Sequence, residues 1–284
     1  MEAAHPVIRT VRETFGQARS MVQWILSPQS ELESELQGIS GRYYECRITR
    51  DKADLRKIFQ LRYEVFRKEY SSPKSLFGLD IDHYDRFADH LVVFHKESGK
   101  PVGTYRLIPD ESPVGFYSER EFEMSGFLAL PGRKLELGRA CVHPDHRNGA
   151  VLRMLWRGLL DFAQEREVDL LFGCSSVHVP EDEFGAAMLH RELRSRGAWS
   201  PIPGVRPTRD FLMPERMQAH WALSEAWLNE DPVRHSEERS LLPPLVASYI
   251  RSGARVISAP AYDEDFHCLD LLTVFSVPAR EVRA

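Results

Sequence analysis

No apolar run in this chain approaches the ~20 residues that a bilayer-crossing helix needs, and no signal-like apolar segment stands at its N-terminus. Cysteine is scarce and scattered. The four residues Cys46, Cys141, Cys174 and Cys268 form no CxxC pair, which argues against a zinc site or a disulfide framework and fits a reducing cytosol. Positive charge is not in excess: 37 Lys and Arg face 42 Asp and Glu, a formal net charge of -5. That speaks against a general nucleic-acid binder. Also absent are a GxGxxG turn after a first strand, a GxSxG elbow and a P-loop, so dinucleotide, α/β-hydrolase and P-loop folds are not expected. No internal repeat or low-complexity segment is evident.

What is there reads as an ordinary globular protein. Hydrophobic residues make up 43% and charged residues 28% of 284 positions, enough for one large domain with extensions. Residues 1–41 divide into an amphipathic helix and a polar linker, ahead of a domain spanning 42–284 with a helical insertion at about 200–242. In the segment 6–26, Ile8, Val11, Phe15, Ala18, Val22 and Ile25 recur at spacings of three and four. Such a stripe packs on a domain or on a twin subunit. The competing reading is a peripheral membrane helix, with Arg9, Arg12 and Arg19 facing anionic lipid. Further on, the patterns predict a strand at 43–49, a helix at 51–70, a hairpin from 90–95 to 102–108, and a strand at 135–142. A helix at 150–167, a strand at 168–176, a helix at 181–196, a helical stretch near 215–229, a helix ending at Gly253 and two closing strands follow. This order gives a mixed α/β (α+β) fold, a curved mixed sheet flanked by helices.

Four constellations carry chemistry. The strand "LELGRACV" holds Glu136 and Arg139 among Leu135, Leu137, Ala140 and Val142. Buried charges are costly, so this pair points to a site. Three apart, they face opposite sides of a regular strand, and a bulge would bring them together. The turn "HPDHRNGA" leads into a helix whose free N–H groups suit a phosphate, with Arg147 adding charge, or it is a plain connector. In "LDIDHYDRFADH", Asp80, Asp82, Asp85 and Asp89 crowd together without the Gly and closing Glu of an EF-hand. They are either a solvated acidic loop or a patch for a cationic substrate; no metal is expected. Residues 42–74 carry ten Lys or Arg against five Asp or Glu, a solvated helix face or a dock for an acidic partner.

Together, "ELGRACVHPDHR", "LRMLWRGL" and "LLFGCSS" resemble the GNAT acyltransferase superfamily. With "LRYEVF", "DHYD", "DHLVV", "VGTYRL", "GFYSEREFEM" and the tail "LPPLVASYIRSGARVISAPAYDEDF...DLLTVF", the chain resembles more closely the bacterial ornithine N-acyltransferases, sometimes labelled hemolysin-like. The resemblance runs in order from about 43 to 277. The front half is also similar to the acyl-homoserine-lactone synthases, whose functional positions match Arg62, Phe66, Asp82, Asp85, Arg106, Glu136 and Arg139. Two departures place lactone synthesis behind: positions 69–75 read "EYSSPKS" with no tryptophan, and Gly138 stands where those enzymes have serine.

The resemblance implies an N-acyltransferase that moves a 3-hydroxyacyl or fatty acyl chain to the α-amine of an amino acid, ornithine foremost. Glu136 is then the general base, with Arg139 beside it. Arg62, Phe66, Asp82, Asp85 and Arg106 line the amino-acid side. Backbone N–H groups near Cys141 and Val142 polarise the thioester carbonyl, and Arg147, Asn148, Gly149 and Ala150 take the donor's phosphate. The R/Q-x-x-G-x-G/A cradle of acetyl-CoA-using members is not kept here, where the sequence is Arg147-Asn148-Gly149-Ala150-Val151-Leu152. This favours acyl carrier protein over acyl-CoA as co-substrate, with no resident cofactor. The expected setting is the cytoplasm, with membrane contact through residues 6–26. Two alternatives stay open: a synthase acting on another amine, including a lactone-type one, and a non-catalytic, membrane-associated protein that binds acyl carrier protein.

Overall fold

The computed structural model describes residues 43–70, 77–179, 184–227 and 240–278. The expected helix at 6–26 and linker to 41 lie outside these. In chain order the elements are β1 (Tyr44–Thr49), α1 (Lys52–Tyr70), β2 (Asp89–His95), β3 (Lys100–Pro109), β4 (Phe122–Glu123), α2 (Ser125–Leu128), β5 (Arg133–Val142) and α3 (Ala150–Glu165). Then come β6 (Val168–Val177), α4 (Gly185–Ser195), β7 (Arg206–Pro207), α5 (Glu215–Trp227), α6 (Pro244–Arg251), β8 (Arg255–Val256), β9 (Ala261–Asp263) and β10 (Cys268–Ser276). The fold is mixed α/β with a largely antiparallel sheet flanked by helices, as the sequence predicts. The short pieces β4, α2, β7 and β9 carry too few residues for a periodic signal.

The described residues divide into two compact units. One contains 43–70, 77–117, 133–171 and 277–278. Its strands run in the order β1-β2-β3-β5, followed by the start of β6. The pairs β1/β2, β2/β3 and β3/β5 are antiparallel. Period-two alternation sorts their side chains onto two faces. Val92 and Phe94 pack with Ile58 and Phe59 of α1, and Cys141 of β5 packs with Leu61 and Val65 of the same helix. The Asp51 side chain accepts the N–H groups of Ala53 and Asp54 at 2.9 and 3.1 Å, capping the start of α1. On the other face, α3 lies so close to β3 that a Cβ at Gly103 would stand 2.6 Å from Val151 Cγ1. Glycine there sets the approach of helix to sheet.

The second unit contains 118–132, 172–179, 184–227 and 240–276. The end of β6 is followed by β10 and β8, with β9 also on β10, while β4 and β7 form a separate two-stranded ribbon. Its core joins Val177, Leu189, Leu193, Trp221, Leu269 and Leu271. His190 lies fully buried in that core, stacked on Trp221 with ring centroids 4.4 Å apart and sharing a hydrogen bond of 2.7 Å with Ser224 Oγ. The expected insertion at about 200–242 contributes β7 and α5 here, and 228–239 lie outside the described residues.

Candidate active site

The two charges of β5 meet through a bulge. Gly138 pairs with Arg106 and Cys141 with Thr104, so Arg139 and Ala140 together oppose Tyr105. Arg139 adopts φ +49° at this point, a conformation costly for a side chain with a Cβ. In register, Glu136 and Gly138 belong to the face that carries α1. A regular strand would put Arg139 on the opposite face; the extra residue keeps it on the α1 face, as a bulge does.

There Arg139 completes a closed ring of six charges. Arg62 Nε lies 2.6 Å from Asp80 Oδ2, and Arg139 Nε lies 3.5 Å from the same oxygen. Arg139 Nη2 reaches Asp82 Oδ2 at 3.3 Å, and Arg106 Nη1 holds Asp82 at 2.7 Å. Arg106 Nη1 stands 3.6 Å from Asp85 Oδ1, and Arg62 Nη1 closes the circuit on that oxygen at 2.7 Å. Each arginine touches two aspartates and each aspartate two arginines. Arg62, Arg106 and Asp85 have side chains at most 1% exposed, whereas Asp82, Asp80 and Arg139 are 22, 25 and 27% exposed. The latter three form the accessible arc.

The acidic loop thus has three of its carboxylates paired with arginines. Its fourth carboxylate, Asp89, is also paired, with Arg50 at 2.6 Å. Asp82 and Asp85 are three apart because they cap the 3-10 turn His83–Arg86 reciprocally. Asp82 Oδ1 accepts the Tyr84 N–H at 2.9 Å, and Asp85 Oδ2 accepts the Asp82 N–H at 2.8 Å. Arg62 and Asp85, two of the residues expected from the sequence to meet the substrate, are buried. They support the arc from beneath. Phe66 packs beside Leu61, Val65 and Cys141.

Burial alone would raise the Asp82 carboxyl, but Arg106, Arg139 and Arg62 hold it down to about 2. Asp85 is likewise lowered, burial being outweighed chiefly by Arg62. Burial disfavours a charge on Arg139, yet Asp80, Tyr117, Asp82 and Asp85 hold its guanidinium above its usual value. His90, fully buried on β2, is pushed down to about 4, first by burial. It is neutral at pH 7 although its Nε2 lies 3.9 Å from Asp85 Oδ1.

Glu136 is 2% exposed, and its Oε2 accepts the Tyr117 N–H at 2.6 Å. The Tyr117 ring lies over two guanidiniums of the circuit, 5.4 Å from Arg106 and 5.3 Å from Arg139. Sequence reasoning gave Tyr117 and His90 no role, although both lie in stretches that carry the family resemblance, and noticed Asp80 only as one acid among four.

At the end of β5 the His143 N–H donates to Val102 O at 2.8 Å. This makes Gly103 and Val142 a non-hydrogen-bonded pair of the ladder, so the Val142 N–H points away from β3. The following turn is more closed than expected. Arg147 Nε donates to Val142 O at 3.0 Å, and Asn148 Oδ1 accepts the Ala150 N–H at 3.0 Å. A phosphate at that amide would displace Asn148. Gly149 is required by its φ of +86° as the cap of α3.

Part of the positive charge at 42–74 is neutralised internally: Arg47 pairs with Glu45 and Asp54, Arg50 with Asp89, and Arg62 within the ring. Among the described residues, one group has donor spacing suited to a metal ion. Glu121, Asp263 and Asp270 bring carboxylate oxygens within 4.8 Å of one another, and Ser176 Oγ donates to Asp270 at 2.6 Å. Also among the described residues, no helix is long and apolar enough to cross a membrane.

This fold, with a bulged strand carrying a buried carboxylate beside arginines, defines a GNAT-type acyltransferase, and the acetyltransferase (GNAT) domain family matches residues 61–157. The chain is 30% identical over 274 residues to an L-ornithine N(alpha)-acyltransferase of Agrobacterium fabrum, covering 89% of this chain and 88% of that one. A protein of the same name from Rhizobium meliloti is 32% identical over 252 residues, covering 82% and 80%. A solved CoA-dependent acyl-homoserine lactone synthase overlaps 80% of this chain and 78% of its own, with 14% identity and a TM-score of 0.43. The chain belongs to the L-ornithine N(alpha)-acyltransferase family, and it is an acyltransferase.

Proposed function

We propose that this enzyme transfers a fatty or 3-hydroxy fatty acyl group from acyl carrier protein to the α-amine of ornithine. The observation that carries the reading is the bulge at Arg139, which brings that arginine to the face that also carries Glu136 and Arg106. A neutral amine attacks the thioester carbonyl carbon. As the C–N bond forms, Glu136 takes the amine proton, directly or through a water. The C–S bond then breaks, and the carrier thiolate leaves with a proton as the free thiol. No covalent enzyme intermediate or resident cofactor is needed. The Val142 N–H, directed away from β3, suits the developing oxyanion. Arg139, on the accessible arc and backed by Arg106, suits the carboxylate of the amino acid, where bidentate recognition favours arginine.

Two features support a carrier protein over acyl-CoA. The turn 147–150 offers a reduced phosphate cradle, since Asn148 occupies the Ala150 N–H. The basic character of 42–74 suits an acidic protein partner. The product is amphiphilic, so the amphipathic segment 6–26 is proposed to bring the enzyme to the cytoplasmic membrane face.

The purified enzyme, given acyl carrier protein charged with a 3-hydroxy fatty acid and L-ornithine, is expected to release carrier thiol and N-acylornithine, followed by thiol titration and mass spectrometry. Turnover with acyl-CoA but not with the acyl carrier would sink the donor assignment. Wild-type turnover by Glu136→Gln would sink the base assignment.

A further inference from the structure

Tyr117 connects the two halves of the proposed chemistry, and neither its sequence context nor the acid–arginine ring explains why a tyrosine stands there. Its backbone N–H donates to Glu136 Oε2 at 2.6 Å. Its ring lies 5.3 Å from the Arg139 guanidinium and 5.4 Å from that of Arg106. These are the two arginines that share Asp82. The Tyr84 ring meets Tyr117 edge-on at 5.7 Å and also faces Arg106 at 5.5 Å. One residue therefore touches the proposed base through its main chain and, through its ring, both the proposed carboxylate-binding Arg139 and the buried Arg106 that backs it. Asp82 draws the two guanidiniums together from one side, and the negative face of the ring attracts them from another.

We propose that Tyr117 is a positioning residue for the amino-acid substrate. Its ring fixes where Arg139, backed by Arg106, receives the substrate carboxylate, and its N–H fixes the Glu136 carboxylate relative to that point. The distance between base and carboxylate anchor is thereby set within a single residue. The proposal rests on the reading of Glu136 as base and of the arginines as carboxylate site.

The contacts that carry the proposal are the ring's, so the variants divide by aromaticity. Tyr117→Phe and Tyr117→Trp are expected to keep KM for L-ornithine within about threefold of wild type, while Tyr117→Leu raises it about tenfold. KM for the acyl donor stays within about twofold in all three, because the donor does not meet the arginines. Tyr117→Met serves as a second non-aromatic variant if the Leu protein loses its cooperative melting. An equal rise of both KM values in the non-aromatic variants, or no rise in either, overturns the proposal. So does a Phe variant as impaired as the Leu variant, which would assign the effect to the hydroxyl. Glu136→Gln is measured in parallel. Full turnover there removes the base assignment, whereas the KM pattern at Tyr117 still reports on the arginines.

Discussion

Arg139 Nη2 stands 3.3 Å from Asp82 Oδ2, and it does so because the Arg139 backbone lies at φ +49° in the bulge of β5. The contact and the strained conformation are two aspects of one arrangement. A strand without the extra residue would aim the guanidinium at α3 instead.

Replacement at this position separates the two. Arg139→Ala loses the charge and keeps the strain; Arg139→Gly loses the charge and releases the strain. The Gly variant is expected to be more stable than the Ala variant by about 1 kcal/mol. Both should lose about 100-fold in kcat/KM through the missing anchor. Urea denaturation of the pair decides the first point, and an Ala variant as stable as the Gly variant would show that the backbone is not strained.

Arg62 is the most enclosed member of the ring, with a fully buried side chain. Arg62→Met leaves Asp80 and Asp85 each short of a partner in low dielectric, and about 3–5 kcal/mol of stability should be lost. Chemical denaturation measures it. A loss below about 1 kcal/mol would be the behaviour of a solvent-exposed pair and would contradict the burial.

Gly126 offers a test in the other unit. A Cβ there would stand 1.8 Å from Pro203 O, a backbone atom that cannot swing aside. Gly126→Ala should cost about 3 kcal/mol. At Gly99, with φ +62° and no atom within 4 Å of a built Cβ, Ala should cost only about 1 kcal/mol. Equal melting temperatures for the two variants would refute the close approach.

Acid should weaken the fold in two stages. His90 and His190 are pushed from 6.5 down to about 4, in each case first by burial. The unfolded chain therefore binds their protons first as pH falls, and stability declines from about 6.5 to about 4. Asp82, held at about 2 against an ordinary 3.8, extends the decline through that lower window. Above 6.5 these contributions are fully present. Denaturant titrations from pH 8 to pH 3 measure the slope, and His90→Gln with His190→Gln should flatten its upper stage. A stability constant down to pH 4 would exclude both histidines as the source.

The sequence disclosed the large elements because α1, β2, β3, β5, α3, β6 and β10 each repeat their apolar residues long enough to show a period. It disclosed Glu136 and Arg139 because charge interrupts an apolar strand. The sequence permitted the bulge without requiring it, since it is fixed by the residue count of β3 against β5 and not by either strand alone. The partners of Asp80, Asp82 and Asp85 stayed hidden for a similar reason. Arg62 sits on a helix and Arg106 on a strand, and only the fold brings them to one loop. Tyr117 stands in a stretch that carries the family resemblance, yet its role was not legible, because a backbone N–H and a ring over two cations leave no spacing to read. The close approach of Gly126 to Pro203 joins segments far apart in the chain.

The ring of three arginines and three aspartates has a genealogical consequence. Removing one member of a closed alternating circuit leaves five charges of unequal sign, and two neighbours then lack a partner. Any single substitution that removes a charge at these positions creates that defect. The six positions should therefore behave in descent as one inherited character, kept whole or replaced together.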